Sequence, residues 1–179
     1  MGPSTAVLMP NGKVLIVGDG VKINPIVSVA QLYNPADNSM AERSLNTLRE
    51  FPAAALLPNG KVLIAGGAGQ LFIAINTQIY DPSQDAFANG PSMSNGHWFA
   101  MAAPTANGEL LVIGGNDVST NALNSVEVYD SVTNSFTTGT AMSVPRLFPT
   151  ATLLHNGRVL IAGGWNGTNS LESTELYTP

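Results

Sequence analysis

Three basic side chains at nearly equal intervals are the residues best suited to bind a ligand. Arg49, His97 and Arg146 are 48 and 49 residues apart, and each precedes a segment rich in small, apolar residues. Arginine can hold a carboxylate through two parallel hydrogen bonds, and histidine changes its charge near neutral pH. We expect the three side chains to converge on one axis and to form an anion-binding ring. In the structural alternative, each bonds to loop carbonyls or to a neighbouring acid.

The same interval runs through the whole chain. An Asn-Gly pair occurs four times at spacings of 48, 48 and 49 residues, and a glycine follows seven residues after each asparagine. One tyrosine closes each unit: Tyr33, Tyr80, Tyr129 and Tyr177. Self-similarity at such a period indicates a repeat architecture, in which each unit buries its apolar face against its neighbours. The three basic residues are therefore equivalent positions in three units.

Each unit predicts four antiparallel strands. A first strand of small residues leads through Asn-Gly, for which we expect a type I′ turn, into a continuous apolar strand buried on both faces. The third strand alternates polar and apolar residues and ends at the tyrosine. A short outer strand carries one large residue seven positions after the tyrosine: Met40, Phe87 or Phe136. Four such strands with tight turns and no helical period are typical of a β-propeller blade.

These repeats resemble the kelch motif, whose period is about 50 residues. The likeness lies in the Gly-Gly pairs at 66–67, 114–115 and 163–164, the Glu-Val-Tyr-Asp run at 127–130 and the aromatic residue downstream. The segment at 57–67, Leu-Pro-Asn-Gly-Lys-Val-Leu-Ile-Ala-Gly-Gly, is similar to sequences of the bacterial and galactose-oxidase-like branch of kelch propellers. The first unit departs from the pattern, because Asp19 replaces its second glycine.

The resemblance implies an all-β, kelch-type β-propeller with four blades of four-stranded antiparallel sheet, the last blade lacking its outer strand. We expect one unit over residues 1–179, with blades at about 1–44, 45–92, 93–141 and 142–179. In kelch-domain adaptor proteins similar to this chain, arginines at the position of Arg49 and Arg146 line the ligand site.

Composition limits the partners. The net charge of −5 argues against nucleic acid and against an anionic membrane, since both need a basic face. No apolar run approaches the roughly 18 residues of a membrane helix. The few charged residues, 11% of the chain, agree with a secreted or cell-surface protein, although the first residues do not form a signal peptide. We therefore expect an extracellular or cell-surface location.

Copper-radical chemistry is the sharpest enzymatic hypothesis that the resemblance raises. Galactose-oxidase-like enzymes hold copper with two histidines and two tyrosines, one of them cross-linked to a cysteine. This chain has no cysteine, its tyrosines occupy the repeated packing position, and His155 lies in an Asn-Gly hairpin on the opposite face from His97. Asp19 and Asp117 are too few for a calcium site of six to eight oxygens. We expect no copper-radical site, no other metal and no cofactor.

Aromatic residues add to the candidate site. Trp98 follows His97 near the channel mouth, and Trp165 lies in a loop of the fourth unit; both suit sugars or proteins. The loop over residues 70–75 is apolar, and is either a contact patch or an early start of the third strand. We predict no catalytic residue and five ligand-binding residues: Arg49, His97, Trp98, Arg146 and Trp165.

Two classes of function fit these residues. The first is a non-catalytic kelch binding module that presents one loop face to a protein or carbohydrate. The second is a carbohydrate-active propeller enzyme or part of one, whether galactose-oxidase-like, an epimerase or a lyase. An enzyme needs paired acids or a His–acid couple at the channel mouth. Glu50 is the one acid that the sequence brings near the ring, which favours the binding module.

Assembly follows from the two end blades. The chain begins in the inner strand of the first blade and ends just after the third strand of the fourth, and four blades are fewer than the six or seven common in kelch rings. An open arc exposes apolar blade faces and a strand edge. We expect either a head-to-tail dimer that closes an eight-bladed ring or a chain that is part of a longer propeller.

Overall fold

The computed structural model describes residues 4–18, 21–23, 26–69 and 72–179, and for 21–23 and 26–28 it describes the backbone alone. Asp19, together with Gln70 and Leu71 of the apolar loop, lies outside these residues. The described part of the chain folds into antiparallel sheets and contains no α-helix. None of its segments is therefore a helix long and apolar enough to cross a membrane.

The first blade contains an additional hairpin. Its strands are β1 (Thr5–Leu8), β2 (Val14–Val17), β3 (Val21–Ile23), β4 (Ile26–Asn34) and β5 (Ser39–Ser44). The sheet runs β1-β2-β4 with β5 on the far side of β4, and β3 pairs with the beginning of β4. The apolar, β-branched residues that precede Ala30 extend the third strand toward its amino end, which the alternating pattern alone did not predict.

The other three blades repeat one plan in which consecutive strands pair. The second contains β6 (Ala53–Leu56), β7 (Val62–Ala65), β8 (Thr77–Asp81) and β9 (Ala86–Asn89). The third contains β10 (Met101–Pro104), β11 (Leu110–Ile113), β12 (Val126–Asp130) and β13 (Ser135–Thr138). The fourth contains β14 (Thr150–Leu153), β15 (Val159–Ala162) and β16 (Thr174–Tyr177). The predicted kelch-type fold of four blades, the last without its outer strand, is confirmed.

The Asn-Gly turns differ from the predicted type I′. In the first blade Gly12 N–H donates to Met9 O at 2.9 Å, and Met9 N–H donates to Lys13 O at 2.9 Å. Gly12 has a φ of 78°, but Asn11 is not in the left-handed region. The loop is therefore a three-residue turn with glycine in the left-handed position. The Asn11 side chain accepts the Lys13 N–H at 3.1 Å, which favours this form.

Apolar layers between successive blades form the core. Leu15 and Val17 of β2 pack with Val62 and Ile64 of β7, and equivalent layers join the second blade to the third and the third to the fourth. The inner strands β1, β6, β10 and β14 contact their neighbours in this order. They therefore surround the axis, and residues at their starting ends lie opposite the Asn-Gly turns.

Candidate functional site

The three predicted basic residues form one repeated contact. Arg49, His97 and Arg146 are each at most 1% exposed. Each bonds to the carbonyl of the glycine that follows the second strand of its own blade, 17 residues later. The distances are 2.7 Å from Arg49 Nη1 to Gly66 O, 2.7 Å from His97 Nδ1 to Gly114 O and 2.8 Å from Arg146 Nη1 to Gly163 O. The contact ties the entry of the inner strand to the exit of the second.

Both arginines have further partners inside their blades. Arg49 donates to Asn76 O at 2.9 Å and to Asn76 Oδ1 at 2.7 Å, and burial lowers the pKa of its guanidinium to about 10. Arg146 donates to Ser173 O at 2.9 Å and to Glu175 Oε1 at 3.0 Å. The structure thus corrects the expectation of an open cationic ring at the mouth. These side chains are enclosed and bonded to the protein, as the structural alternative describes, because a buried cation requires acceptors at fixed positions.

A buried His–acid couple lies in the third blade. His97 Nε2 is 3.6 Å from Glu127 Oε1, and the two side chains are 0% and 2% exposed. Glu127 also accepts Ser94 Oγ–H at 2.7 Å and Asn95 N–H at 2.9 Å. Burial acts to raise the pKa of Glu127, but His97 and these donors outweigh it and hold the pKa at about 2. The couple is closed to a substrate at the mouth.

The acid of this couple is a repeated position that sequence analysis missed. Glu175 in β16 is equivalent to Glu127 in β12, and Gln78 in β8 takes the same place in the second blade. The signal was present, since each of the three precedes the repeated tyrosine of its unit by two residues. Their inward direction became clear only with the fold, because a polar residue in an alternating strand is ordinarily expected to face solvent.

Three phenylalanines surround the mouth. Phe51, Phe99 and Phe148 each lie two residues after a buried basic residue, with Phe99 and Phe148 ring centroids 4.3 Å apart and Phe51 and Phe99 centroids 4.8 Å apart. Their φ angles are 50°, 60° and 51°. A bulky side chain rarely adopts this left-handed backbone conformation. The Phe148 N–H donates to Phe99 O at 2.9 Å, so backbone bonding between blades supports the arrangement.

The phenylalanines line a hollow of about 290 Å³ that we call the aromatic mouth. It is bordered by the starting ends of all four inner strands, with Thr5, Met101 and Thr150 contributing to its wall. It therefore opens on the face opposite the Asn-Gly turns. The phenylalanines were not predicted as site residues, although they recur two positions after each basic residue, because apolar residues beside an inner strand are ordinarily core residues.

A second hollow of about 280 Å³ adjoins the mouth, and we call it the rim hollow. Its lining includes Phe72, Ile73, Trp98 and Val118. The Trp98 ring stacks on Phe99 with centroids 4.1 Å apart, which joins the two hollows. Phe72 is 51% exposed and β8 begins only at Thr77. The alternative of an early third strand is therefore wrong, and the apolar loop exposes Phe72 and Ile75 at the surface while Ala74 is buried.

The remaining candidates lie apart from the mouth. Trp165 is 40% exposed and pairs through its backbone with Leu147 on the rim of the fourth blade. His155 is exposed in the turn region between β14 and β15, on the other face from the mouth. Asp117 bonds within its own loop, to Ser119 and Asn121. Across the described residues, no three histidine, aspartate or glutamate side chains form a group able to hold a metal ion.

Comparison with known proteins supports the fold. A family model of the Kelch motif matches residues 98–143, which run from Trp98 at the rim through the strands of the third blade to Ser143. No curated protein matches the chain. The matched motif and the repeated antiparallel sheets together identify a kelch-type propeller.

Proposed function

We propose that the protein is a non-catalytic interaction module that binds a partner protein at the aromatic mouth and the rim hollow. The kelch-type propeller supports an interaction role, since such repeats generally mediate protein contacts. Trp98 belongs to this contact surface, whereas Trp165, on the rim of the fourth blade, would contact the same partner outside the two hollows. Arg49, His97 and Arg146 act beneath the surface by holding the strand entries that carry the phenylalanines.

The backbone strain at the phenylalanines is the observation that carries the proposal. A left-handed conformation costs a residue other than glycine roughly 1–2 kcal/mol. Equivalent positions in three blades have this conformation, at Phe51, Phe99 and Phe148. The Phe148 side chain is 52% exposed. Phe51 and Phe99 are half-buried, and strain maintained at a partly exposed aromatic cluster is typical of a functional site. Exposed aromatic side chains around a concave centre are the usual anchor of a protein interface.

The chemistry of the mouth favours a protein over a sugar. A hollow of about 290 Å³ accommodates one large apolar side chain of a partner. Sugar recognition needs several converging polar groups, and the hydroxyls of Ser4, Thr5 and Thr150 are the side-chain polar groups in the described lining. The galactose-oxidase-like, epimerase or lyase alternative would need the His97–Glu127 couple to open. We propose further that the chain belongs to the galactose-oxidase-like branch of kelch propellers, on the sequence at 57–67, and that it is extracellular or on the cell surface, on its few charged residues.

The experiment replaces Phe148 with asparagine, which tolerates the left-handed backbone. A random peptide library is selected on the immobilised protein, and affinities of the enriched peptides are measured by calorimetry. We expect peptides with a large apolar or aromatic anchor, and we expect F148N to weaken them about tenfold or more. The control V132N introduces the same side chain at a turn residue that is 91% exposed, and should leave affinity unchanged. Equal binding to F148N would contradict the proposal, and glycan-array binding without enriched peptides would favour the sugar alternative.

We propose in addition that the protein self-associates head to tail. The outer face of the first blade presents Leu8, 64% exposed, whose equivalent in β6, Leu56, packs against the first blade. The outer face of the fourth presents Leu176, 49% exposed, whose equivalent Ile79 packs against the third. The two free faces thus carry the two halves of the interface that joins neighbouring blades. Two copies would complete an eight-bladed ring, and further blades of a longer chain would fill the same faces.

Light scattering tests the assembly. We expect about twice the chain mass of 18.6 kDa, and we expect the double variant L8D/L176D to be monomeric because two carboxylates would be buried unpaired. The control V132D adds an acid away from both faces and should remain dimeric. A wild-type monomer at all concentrations would refute the dimer.

A further inference from the structure

Glu50 contributes an unpaired carboxylate to the wall of the rim hollow. Its backbone is fixed, because its N–H donates to Ala68 O at 2.8 Å and its carbonyl accepts the Ala68 N–H at 2.9 Å. Its side chain is half-buried. Within the described part of the chain, the carboxylate forms no hydrogen bond and no ion pair. A charge that is partly removed from water loses solvation, and a ligand of opposite charge compensates for this loss.

The repeat itself does not require an acid at this position. Trp98 and Leu147 follow the buried basic residues of the third and fourth blades, as Glu50 follows Arg49 in the second. Each of the three forms a backbone bridge to the residue after the Gly-Gly pair of its own blade. The same backbone setting thus accepts apolar side chains in two of three blades. The charge of Glu50 is therefore a property of the rim hollow and not of the blade fold.

Two aromatic rings line the same hollow as the Glu50 carboxylate. Phe72 is held in the lining by its own loop, because the Gly69 N–H donates to Phe72 O at 2.8 Å. The Trp98 ring is held by Phe99, which stacks on it. The face of an aromatic ring attracts cations, and the attraction is stronger where the cation loses water. An acid and two aromatic rings around one hollow are therefore suited to an organic cation.

The basic side chains that the structure describes lie away from the rim hollow or are enclosed in the blades. Three follow the Asn-Gly pairs, on the face opposite the mouth: Lys13, Lys61 and Arg158. Two are fully buried and bonded inside their blades: Arg49 and Arg146. One forms a surface ion pair with Asp85: Arg43. Charge complementarity therefore indicates that the cation for Glu50 comes from the partner, and the net charge of −5 favours a basic partner as well.

We propose that the rim hollow binds an arginine side chain of the partner protein, which stacks on the aromatic rings and pairs with Glu50. Arginine fits better than lysine, because a planar guanidinium stacks on aromatic faces and holds a carboxylate through two parallel hydrogen bonds. The inference rests on the proposed function, since it names the group that the partner presents beside its apolar anchor. Trp98 stacks on Phe99, so the arginine and the anchor contact one continuous surface.

A blocked arginine, N-acetyl-arginine methylamide, tests the rim hollow without the partner. The chain has two tryptophans, so the indole N–H signal of Trp98 is assigned in NMR spectra by comparison with W165F. We expect a saturable shift of this signal, and we expect E50Q to weaken binding about fivefold. F72L keeps an apolar side chain without the ring and should weaken binding about two- to fivefold.

Two controls isolate the charge. The citrulline analogue of the probe has nearly the same shape but is neutral, and it should produce no saturable shift. E172Q removes an exposed acid of the fourth blade that does not line the hollow, and it should leave arginine binding unchanged. An equal shift with citrulline, or no saturable shift with arginine, would overturn the proposal.

Charge reversal distinguishes this inference from the proposed function. The peptide selection is carried out on the wild type and on E50R. We expect arginine near the apolar anchor of peptides enriched on the wild type, and an acid at that place on E50R, because like charges repel. Peptides that need Phe148 but carry no basic residue would overturn the inference and leave the proposed function intact. Arginine peptides that lose affinity on E50Q but not on F148N would support the inference and contradict the role of the mouth.

Discussion

Replacing Gly114 with alanine is expected to destabilise the protein by about 3 to 5 kcal/mol, because the new methyl group has no room. An added Cβ would lie 2.2 Å from Arg146 O on the backbone of the next blade. That carbonyl cannot retreat without cost, since it accepts the Gly115 N–H at 2.7 Å. The Gly114 carbonyl in turn bonds to His97 at 2.7 Å, so the glycine is held from both sides.

Gly163 provides the matched control for this experiment. It has the same position in the repeat and nearly the same φ, 65° against 62° for Gly114. The nearest atom to its added Cβ is Leu171 O at 3.6 Å, an ordinary contact. G163A should therefore cost only the backbone strain, about 1 to 2 kcal/mol. Urea unfolding of both variants measures the difference in the free energy of unfolding. Equal losses of stability would show that the close contact between blades at Gly114 does not contribute.

These glycines connect blades, which explains why the fold could be predicted from the sequence. The contact at Gly114 requires no side chain, and it recurs at Gly66 beneath the backbone of His97. Four aligned copies of a unit separate such required positions from variable ones within a single chain. The strand order, the outer-strand residues and the missing last strand followed from this register.

The turn type and the additional hairpin of the first blade could not be predicted from the repeat alone. Asn-Gly fits both a two-residue type I′ turn and a three-residue turn, and the choice depends on where the flanking strands end. Pro10 and Pro58 just before two of the pairs fit the first central position of the turn that formed, and they were the usable signal. The β3 hairpin is specific to the first blade, so no second copy of it existed for comparison.

The three basic residues were predicted in position but not in exposure. Equal spacing correctly grouped Arg49, His97 and Arg146 as equivalent residues at the strand entries. Their burial depends on glycine carbonyls that are distant in sequence and lie close because the second strand pairs with the first. Phe148 and its equivalents were not predicted at the surface, because an apolar residue beside a strand of small residues is expected in the core. Backbone conformation, which placed them at the mouth, is not readable from residue type.

Replacing Arg146 with alanine is expected to cost about 3 to 5 kcal/mol, because it takes a fully buried donor from two backbone carbonyls and breaks its ion pair with Glu175, which is 21% exposed. The side chain is fully buried, and its loss leaves Gly163 O and Ser173 O without this donor, while the Glu175 carboxylate keeps the Ser143 N–H. Burial acts to raise the pKa of Glu175, but Ser143 N–H and Arg146 hold it below its usual value. R146K keeps the charge and loses the planar fork, so its stability should be intermediate.

The variant R43A is the control for this experiment, because Arg43 forms an ion pair at the surface and Arg146 forms one while fully buried. It holds Asp85 through two short hydrogen bonds of 2.7 and 2.6 Å, but the two side chains are 29% and 47% exposed. A surface pair of this kind contributes at most about 1 kcal/mol, so R43A should be nearly neutral. Thermal and urea unfolding of R43A, R146A and R146K compares the three. If R146A were as stable as R43A, Arg146 would not be needed to hold the blade together. Its predicted role as a ligand contact would then be the better explanation. A loss several times larger than that of R43A instead assigns the repeated basic residues to the scaffold, and leaves recognition to the aromatic side chains that they position.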